Sequence, residues 1–105
     1  MPSKERSRNK KSALPKNFFI TRQFKKDWDR LVASNRHDLT TAKEGISLLC
    51  RNQGPMPREW FDHALSGTMK GYRDFHAKGD LVVIYKDFGD ELQFIRIGTH
   101  SELFD

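Results

Sequence analysis

Apolar positions recur at helical spacing in two stretches of the chain and crowd at strand spacing in four others. NFFIT, Asn17 to Thr21, is a short run of aromatic and β-branched residues and predicts a strand. Behind it Phe24, Trp28, Leu31 and Val32 fall at i, i+4, i+7 and i+8, one stripe of a 3.6-residue period, with Thr21 standing where an N-cap belongs. The spacing predicts a helix over Arg22 to Ser34 and puts Lys25, Lys26, Asp27, Asp29 and Arg30 on its solvated side. After the polar break NRHD, Thr41 and Glu44 have the spacing of a capping box. Ala42, Ile46, Leu49 and Cys50 form a second stripe, closed by Gly54 and Pro55. A second helix over Thr40 to Asn52 follows, antiparallel to the first on a common surface.

Pro55 and Pro57 open an irregular segment through Lys70, anchored by Met56, Trp60, Phe61 and Leu65. From Gly71 the period becomes that of a sheet. GYRDFH (Gly71 to His76), LVVIYKDF (Leu81 to Phe88) and ELQFIRI (Glu91 to Ile97) predict an antiparallel meander whose middle strand, apolar on both faces, lies at the centre. Alternation sets Arg96 opposite Ile95 and Ile97 and in line with Leu92 and Phe94. If the helices cover the isoleucines, Arg96 faces the open side of the sheet. The expected fold class is α+β: one domain, two N-terminal helices packed on a small antiparallel sheet.

Charge adds a division that periodicity does not show. The 105 residues allow one domain, and the net charge of +5 is uneven. Residues 1–16 carry six basic and one acidic side chain, whereas residues 17–105 carry 13 of each. We therefore expect a basic N-terminal arm over 1–16, probing for phosphates or merely solubilising, and a neutral domain over 17–105. No run approaches the ~18 apolar residues of a membrane span, and the arm lacks the apolar core of a secretory signal. The single cysteine, Cys50, permits no internal disulfide and sits in an apolar run, as a buried thiol of a cytoplasmic protein would.

Four histidines are the candidate chemistry. None has the HxxxH or CxxC spacing of a zinc site, so no metal is expected. His37 lies in the loop between the helices, whereas His63, His76 and His100 fall at transitions into or out of strands. Imidazoles that move protons near neutral pH, with a carboxylate to orient them and a guanidinium to bind phosphate, suffice for metal-free RNA cleavage. The residues alone leave another possibility open: surface histidines, with Arg96 paired to an acid such as Asp74 or Asp80.

The stretch DHALSGTMKGYRDFHAKGDLVVIYKDFGDELQFIRIGTHSELF, Asp62 to Phe104, resembles the C-terminal half of the YafQ branch of the RelE toxin family. Its markers are the DH pair, LSGTMKGYRDFH entering the first sheet strand, the IYK strand, and RIGTHSELF at the end; the helical half agrees only in pattern. The resemblance implies a RelE-like fold and a ribosome-dependent mRNA interferase. Such a toxin cuts mRNA in the A site of the 70S ribosome without metal or cofactor, leaves a 2′,3′-cyclic phosphate, touches ribosomal RNA, and is held inactive by a cognate antitoxin. Carried over by position, the functional set is His63, His76, Asp80, Arg96, His100 and Phe104. His100 would be the acid or base, Asp80 and His76 would complete proton transfer, His63 would position substrate, Arg96 would stabilise charge and Phe104 would stack. Lys70, Arg73 and Lys78 would dock RNA. This chain departs from the pattern in its longer basic arm and in Leu81, where an aromatic is expected; stacking would then fall to Tyr72 or Phe75. A non-catalytic RNA-binding module and a gyrase-directed toxin of the same fold are the competing classes, and the histidine set disfavours the second.

Overall fold

The computed structural model describes residues 14–105, so most of the basic arm expected over 1–16 lies outside the described residues. The elements are β1 (Asn17–Ile20), α1 (Arg22–Ser34), α2 (Thr40–Arg51), β2 (His63–Ala64), β3 (Arg73–Ala77), β4 (Leu81–Asp87), β5 (Glu91–Thr99) and α3 (His100–Phe104). Single 3-10 turns occur at Arg58–Trp60, Gly67–Met69 and Lys78–Asp80. One five-stranded sheet has the order β1-β5-β4-β3-β2, with β1 parallel to β5 and every other pair antiparallel. The doubly apolar β4 takes the centre, where both of its faces can be covered.

One face of the sheet makes the core. Phe75, Leu81, Val83, Tyr85, Leu92, Phe94 and Ile97 meet Phe24 and Leu31 of α1 and Ala42 of α2. The second helix comes very close: a Cβ added at Gly45 would run into the rings of Phe75 and Trp60, so only glycine admits α2 at this separation from β3. Residues 14–16 already belong to this body. Lys16 donates its backbone N–H to Cys50 O (2.8 Å) and pairs with Asp87 (2.9 Å), and Asn52 Nδ2 donates to Leu14 O (2.9 Å).

Local chemistry explains where the elements begin and where expectation and structure part. Thr21 caps α1 as predicted, its hydroxyl accepting from Phe24 N–H at 3.0 Å, and the same hydroxyl donates to Ile95 O at 2.8 Å. Asp27 is not on a solvated side but only 2% exposed, whereas Val32 stays exposed. For α2 the Thr41–Glu44 box does not form; Asp38 Oδ1, three residues ahead of Thr41, accepts from Thr40 N–H at 3.0 Å instead. Phe61, expected as an apolar anchor, is 65% exposed.

The largest difference lies in β5. Register jumps between Ile84 and Tyr85, which pair with Arg96 and Phe94, so Ile95 is an extra residue without a partner on β4. A bulge of this kind reverses the alternation beyond it. Leu92 and Phe94 therefore share the core face with Ile97, and Arg96 stands on the opposite, open face. The orientation expected for Arg96 holds, but its alignment with Leu92 and Phe94 does not.

Candidate active site

The open face carries two cross-strand rows. Pairing of Arg96 with Ile84, Ile84 with Asp74 and Asp74 with His63 makes one row across four strands, and Gly98, Val82 and His76 make the next. Three strand spacings separate the ends of the first row, roughly 14 Å, about the reach of a dinucleotide phosphate backbone.

The rows focus on Asp74, which is 2% exposed. His63 Nδ1 lies 3.2 Å and His76 Nε2 3.7 Å from its Oδ1, and the two imidazoles stand 6.0 Å apart. His63 Nδ1 also sits 2.7 Å from the carbonyl oxygen of Phe61. Two oxygens facing Nδ1 require a proton there, which leaves Nε2 as the basic nitrogen of the neutral ring. Oδ1 of Asp74 makes no hydrogen bond of good geometry among the described residues. Burial pushes this carboxyl above the ordinary aspartate range, and the nearby His63, His76 and His100 draw it back only in part. The same three groups, His63, Asp74 and His76, offer ligand atoms within 4.8 Å of one another and can hold a divalent ion.

His100 stands on a separate element. Thr99 caps α3, accepting from Glu102 N–H at 3.2 Å while Glu102 Oε1 accepts from Thr99 N–H at 2.8 Å, a complete capping box. A Cβ on Gly98 would meet Glu102 Oε1 at 3.0 Å and Leu103 at 3.2 Å, so glycine here lets α3 fold back over the end of β5. The His100 ring lies 4.9 Å from that of Phe104, one turn on.

Beneath the open face a clamp sets the His63 strand. β2 has only two paired residues, so backbone bonding alone secures it weakly. Asp62, one residue before His63, points to the core side. It accepts from the Tyr85 hydroxyl at 2.5 Å and from Arg73 Nε at 3.3 Å, and Arg73 Nε lies 3.2 Å from that hydroxyl. Burial, then the adjacent Asp62 carboxylate, holds the Tyr85 hydroxyl far above the ordinary phenol range. Asp62 and Arg73 thus pair below the sheet while their neighbours His63 and Asp74 meet above it.

A family model described as a bacterial toxin of type II toxin-antitoxin systems, YafQ, matches residues 16–105. The chain belongs to the YafQ family. It is 43% identical over 77 residues to the mRNA interferase toxin YafQ of Escherichia coli K12, covering 72% of this chain and 84% of that protein. The crystal structure of YafQ from Escherichia coli BL21(DE3) superposes with a TM-score of 0.77 at 36% identity, over 86% of this chain and 99% of that one. In the Escherichia coli DinJ–YafQ toxin-antitoxin complex the toxin matches with a TM-score of 0.76 at 36% identity, over 88% and 100% of the two chains. The fold of this YafQ-family toxin is accordingly RelE-like, as the C-terminal motifs implied.

Of the residues singled out in this YafQ-family sequence, His63 and His76 come together at Asp74, and His100 starts α3 two residues past Gly98, which lies in the cross-strand row of His76. Asp80 does not contact these imidazoles: it lies exposed in the turn after β3, at φ +66°, and forms no ion pair with a histidine among the described residues. Leu81 and Thr99 are register partners, so Asp80 and His100 flank the same end of the sheet. Arg96 borders the site but is held by Asp27 of α1, with Nε 2.7 Å from Oδ2 and Nη2 3.1 Å from Oδ1. Burial alone would raise the Asp27 carboxyl; the bonds from Arg96, Gln23 and Ile97 N–H outweigh it and leave the group below its ordinary range. Arg73 is committed to the clamp, which leaves Lys70 and Lys78 of the expected docking set. Phe75 and Leu81 are fully buried and cannot stack on a ligand. Asp74, Asp62 and Tyr85 were not expected as site residues. The DFH alternation, which puts Asp74 and His76 on one face, was the available signal for the first.

Among the described residues no helix is long and apolar enough to cross a membrane.

Proposed function

We propose that this YafQ-family toxin is an endoribonuclease, an mRNA interferase that cuts mRNA in the ribosomal A site and so arrests translation in the cytoplasm. The carrying observation is the meeting of His63 and His76 at one buried carboxylate, Asp74, on the face of the sheet opposite the one that packs on α1 and α2, with Arg96 in the same cross-strand row and His100 at the end of β5. His63, with Nδ1 protonated, presents Nε2 as a base for the ribose 2′-OH. The 2′-oxygen then attacks the adjacent phosphorus, and the bond to the 5′-oxygen breaks. That leaving oxygen takes a proton from His100 or His76 as its imidazolium, giving a 2′,3′-cyclic phosphate and a 5′-hydroxyl. Both protons are accounted for by imidazoles, so the step balances without a metal ion. Asp74 orients the facing imidazoles. The Arg96 fork, with Asp27 fixing its plane, presents Nη1 to the extra negative charge on phosphorus. Asp80 flanks His100 at the sheet end, Phe104 buttresses the His100 ring, and Lys70 and Lys78 dock the phosphates of mRNA or ribosomal RNA.

A cognate antitoxin would silence this chain as a complex partner, as DinJ is found with the Escherichia coli relative. Primer extension on translating ribosomes tests the reading. Wild-type protein should truncate the message at codon boundaries, and His100→Ala should slow single-turnover cleavage about 100-fold or more. Cleavage by His100→Ala at the wild-type rate would remove the proton-transfer assignment, and an intact message with wild-type protein would remove the activity.

A further inference from the structure

Three residues end helical turns of this chain in the left-handed backbone conformation: Asn35 after α1 (φ +53°), Asn52 after α2 (φ +56°) and Phe61 after the Arg58–Trp60 turn (φ +51°). Asparagine is a usual choice there, whereas a bulky aromatic is a rare one and costs backbone strain. The Phe61 ring is also 65% exposed, so it does not recover that cost by joining the core. What the strained position achieves is a place: the ring lies 5.7 Å from His76, and the two line one wall of an open cleft of about 460 Å³. Thr41, Glu59, Trp60, Ala77 and Lys78 line the remainder.

We propose that Phe61 is a stacking platform for one base of single-stranded RNA, and that this cleft is the subsite holding that base beside the scissile phosphate. A base lying on the ring meets the polar groups of Thr41 and Glu59 at its edge, while Lys78 lies within reach of its phosphate. Aromatic platforms beside cationic groups are how proteins hold unpaired bases. The assignment supplies the stacking that buried Leu81 and Phe75 cannot, and it rests on the nuclease reading only for what the bound base is used for.

Phe61→Asn is the discriminating variant, because asparagine suits the left-handed position and should fold at least as stably as wild type by thermal denaturation. Titration with an uncleavable trinucleotide carrying 2′-deoxyribose, followed by NMR shifts of the His76 ring, should show about tenfold weaker binding for Phe61→Asn. Phe61→Trp should keep wild-type affinity. On programmed ribosomes the loss should fall on KM rather than kcat and should alter which codons are cut. Wild-type affinity and KM in Phe61→Asn would overturn the subsite while leaving the nuclease reading intact. So would failure of the wild-type protein to bind the trinucleotide. Trinucleotide binding that depends on Phe61, in a protein that cuts no message, would keep the subsite and end the nuclease reading. Retained trinucleotide affinity together with lost binding to the coexpressed antitoxin would give the ring to a protein partner and also overturn the assignment.

Discussion

Two buried aspartates, Asp27 and Asp74, behave in opposite ways, and the difference separates holding the fold from doing chemistry. Asp27 accepts hydrogen bonds from three groups, Arg96, Gln23 and Ile97 N–H, and sits below its ordinary range, so it stabilises the fold above the unfolded value of ~3.9 and loses that contribution as pH falls through its lower folded value. Asp74 sits above its ordinary range. Its contribution is present below ~3.9 and is lost as pH rises through the raised folded value, so at neutral pH the ionised group costs stability. Asp74→Asn should therefore melt no lower than wild type at pH 7 while cutting RNA roughly 100-fold more slowly; a lower melting temperature would contradict the assignment. Arg96→Ala should do the reverse to stability, stranding the Asp27 carboxylate at a cost of about 3 kcal/mol in urea unfolding, the lower end for a broken buried pair since the guanidinium is partly exposed.

The elements that carry the site are its weakest-held parts. β2 contributes two paired residues and α3 a single capped turn and a little more, yet they bring His63 and His100. Each is secured by side chains: β2 by Asp62 on Tyr85 and Arg73, α3 by its capping box and by the Arg30–Glu102 ion pair at 2.9 Å. Tyr85→Phe keeps the ring that packs on Phe75 and Phe94 and removes only the hydroxyl. It should lower stability by about 1 kcal/mol and slow cleavage disproportionately, with hydrogen exchange rising at Leu65 N–H, which donates to Tyr72 O at the end of β2. Unchanged exchange at that amide would show that the clamp is not what holds β2.

Most of the molecule was legible because most of it follows periodicity. The stripe Phe24, Trp28, Leu31 placed α1, and the doubly apolar LVVIYKD run named the central strand. What escaped was whatever a long-range partner decides. Asp27 reads as one more charge on a polar helix face until the end of β1 leaves the Ile97 N–H free for it at 3.2 Å. The Ile95 bulge, which turns Arg96 away from Leu92 and Phe94, has no local signature. The histidines were legible as chemistry, from the C-terminal motifs, but the carboxylate between them was not: Asp74 lies two residues before His76, yet its burial and its contact with His63 depend on β2 pairing with β3. Two sides of one sheet thus divide the work, the core side fixing strands and the open side gathering imidazoles. The most direct test of that division is end-group analysis of mRNA cut on the ribosome by wild-type protein that has been stripped of metal with EDTA and dialysed before it meets the ribosomes. A 2′,3′-cyclic phosphate and a 5′-hydroxyl, formed at the rate seen without chelator, are the expected result; a 3′-hydroxyl with a 5′-phosphate, or cleavage abolished by chelation, would contradict it.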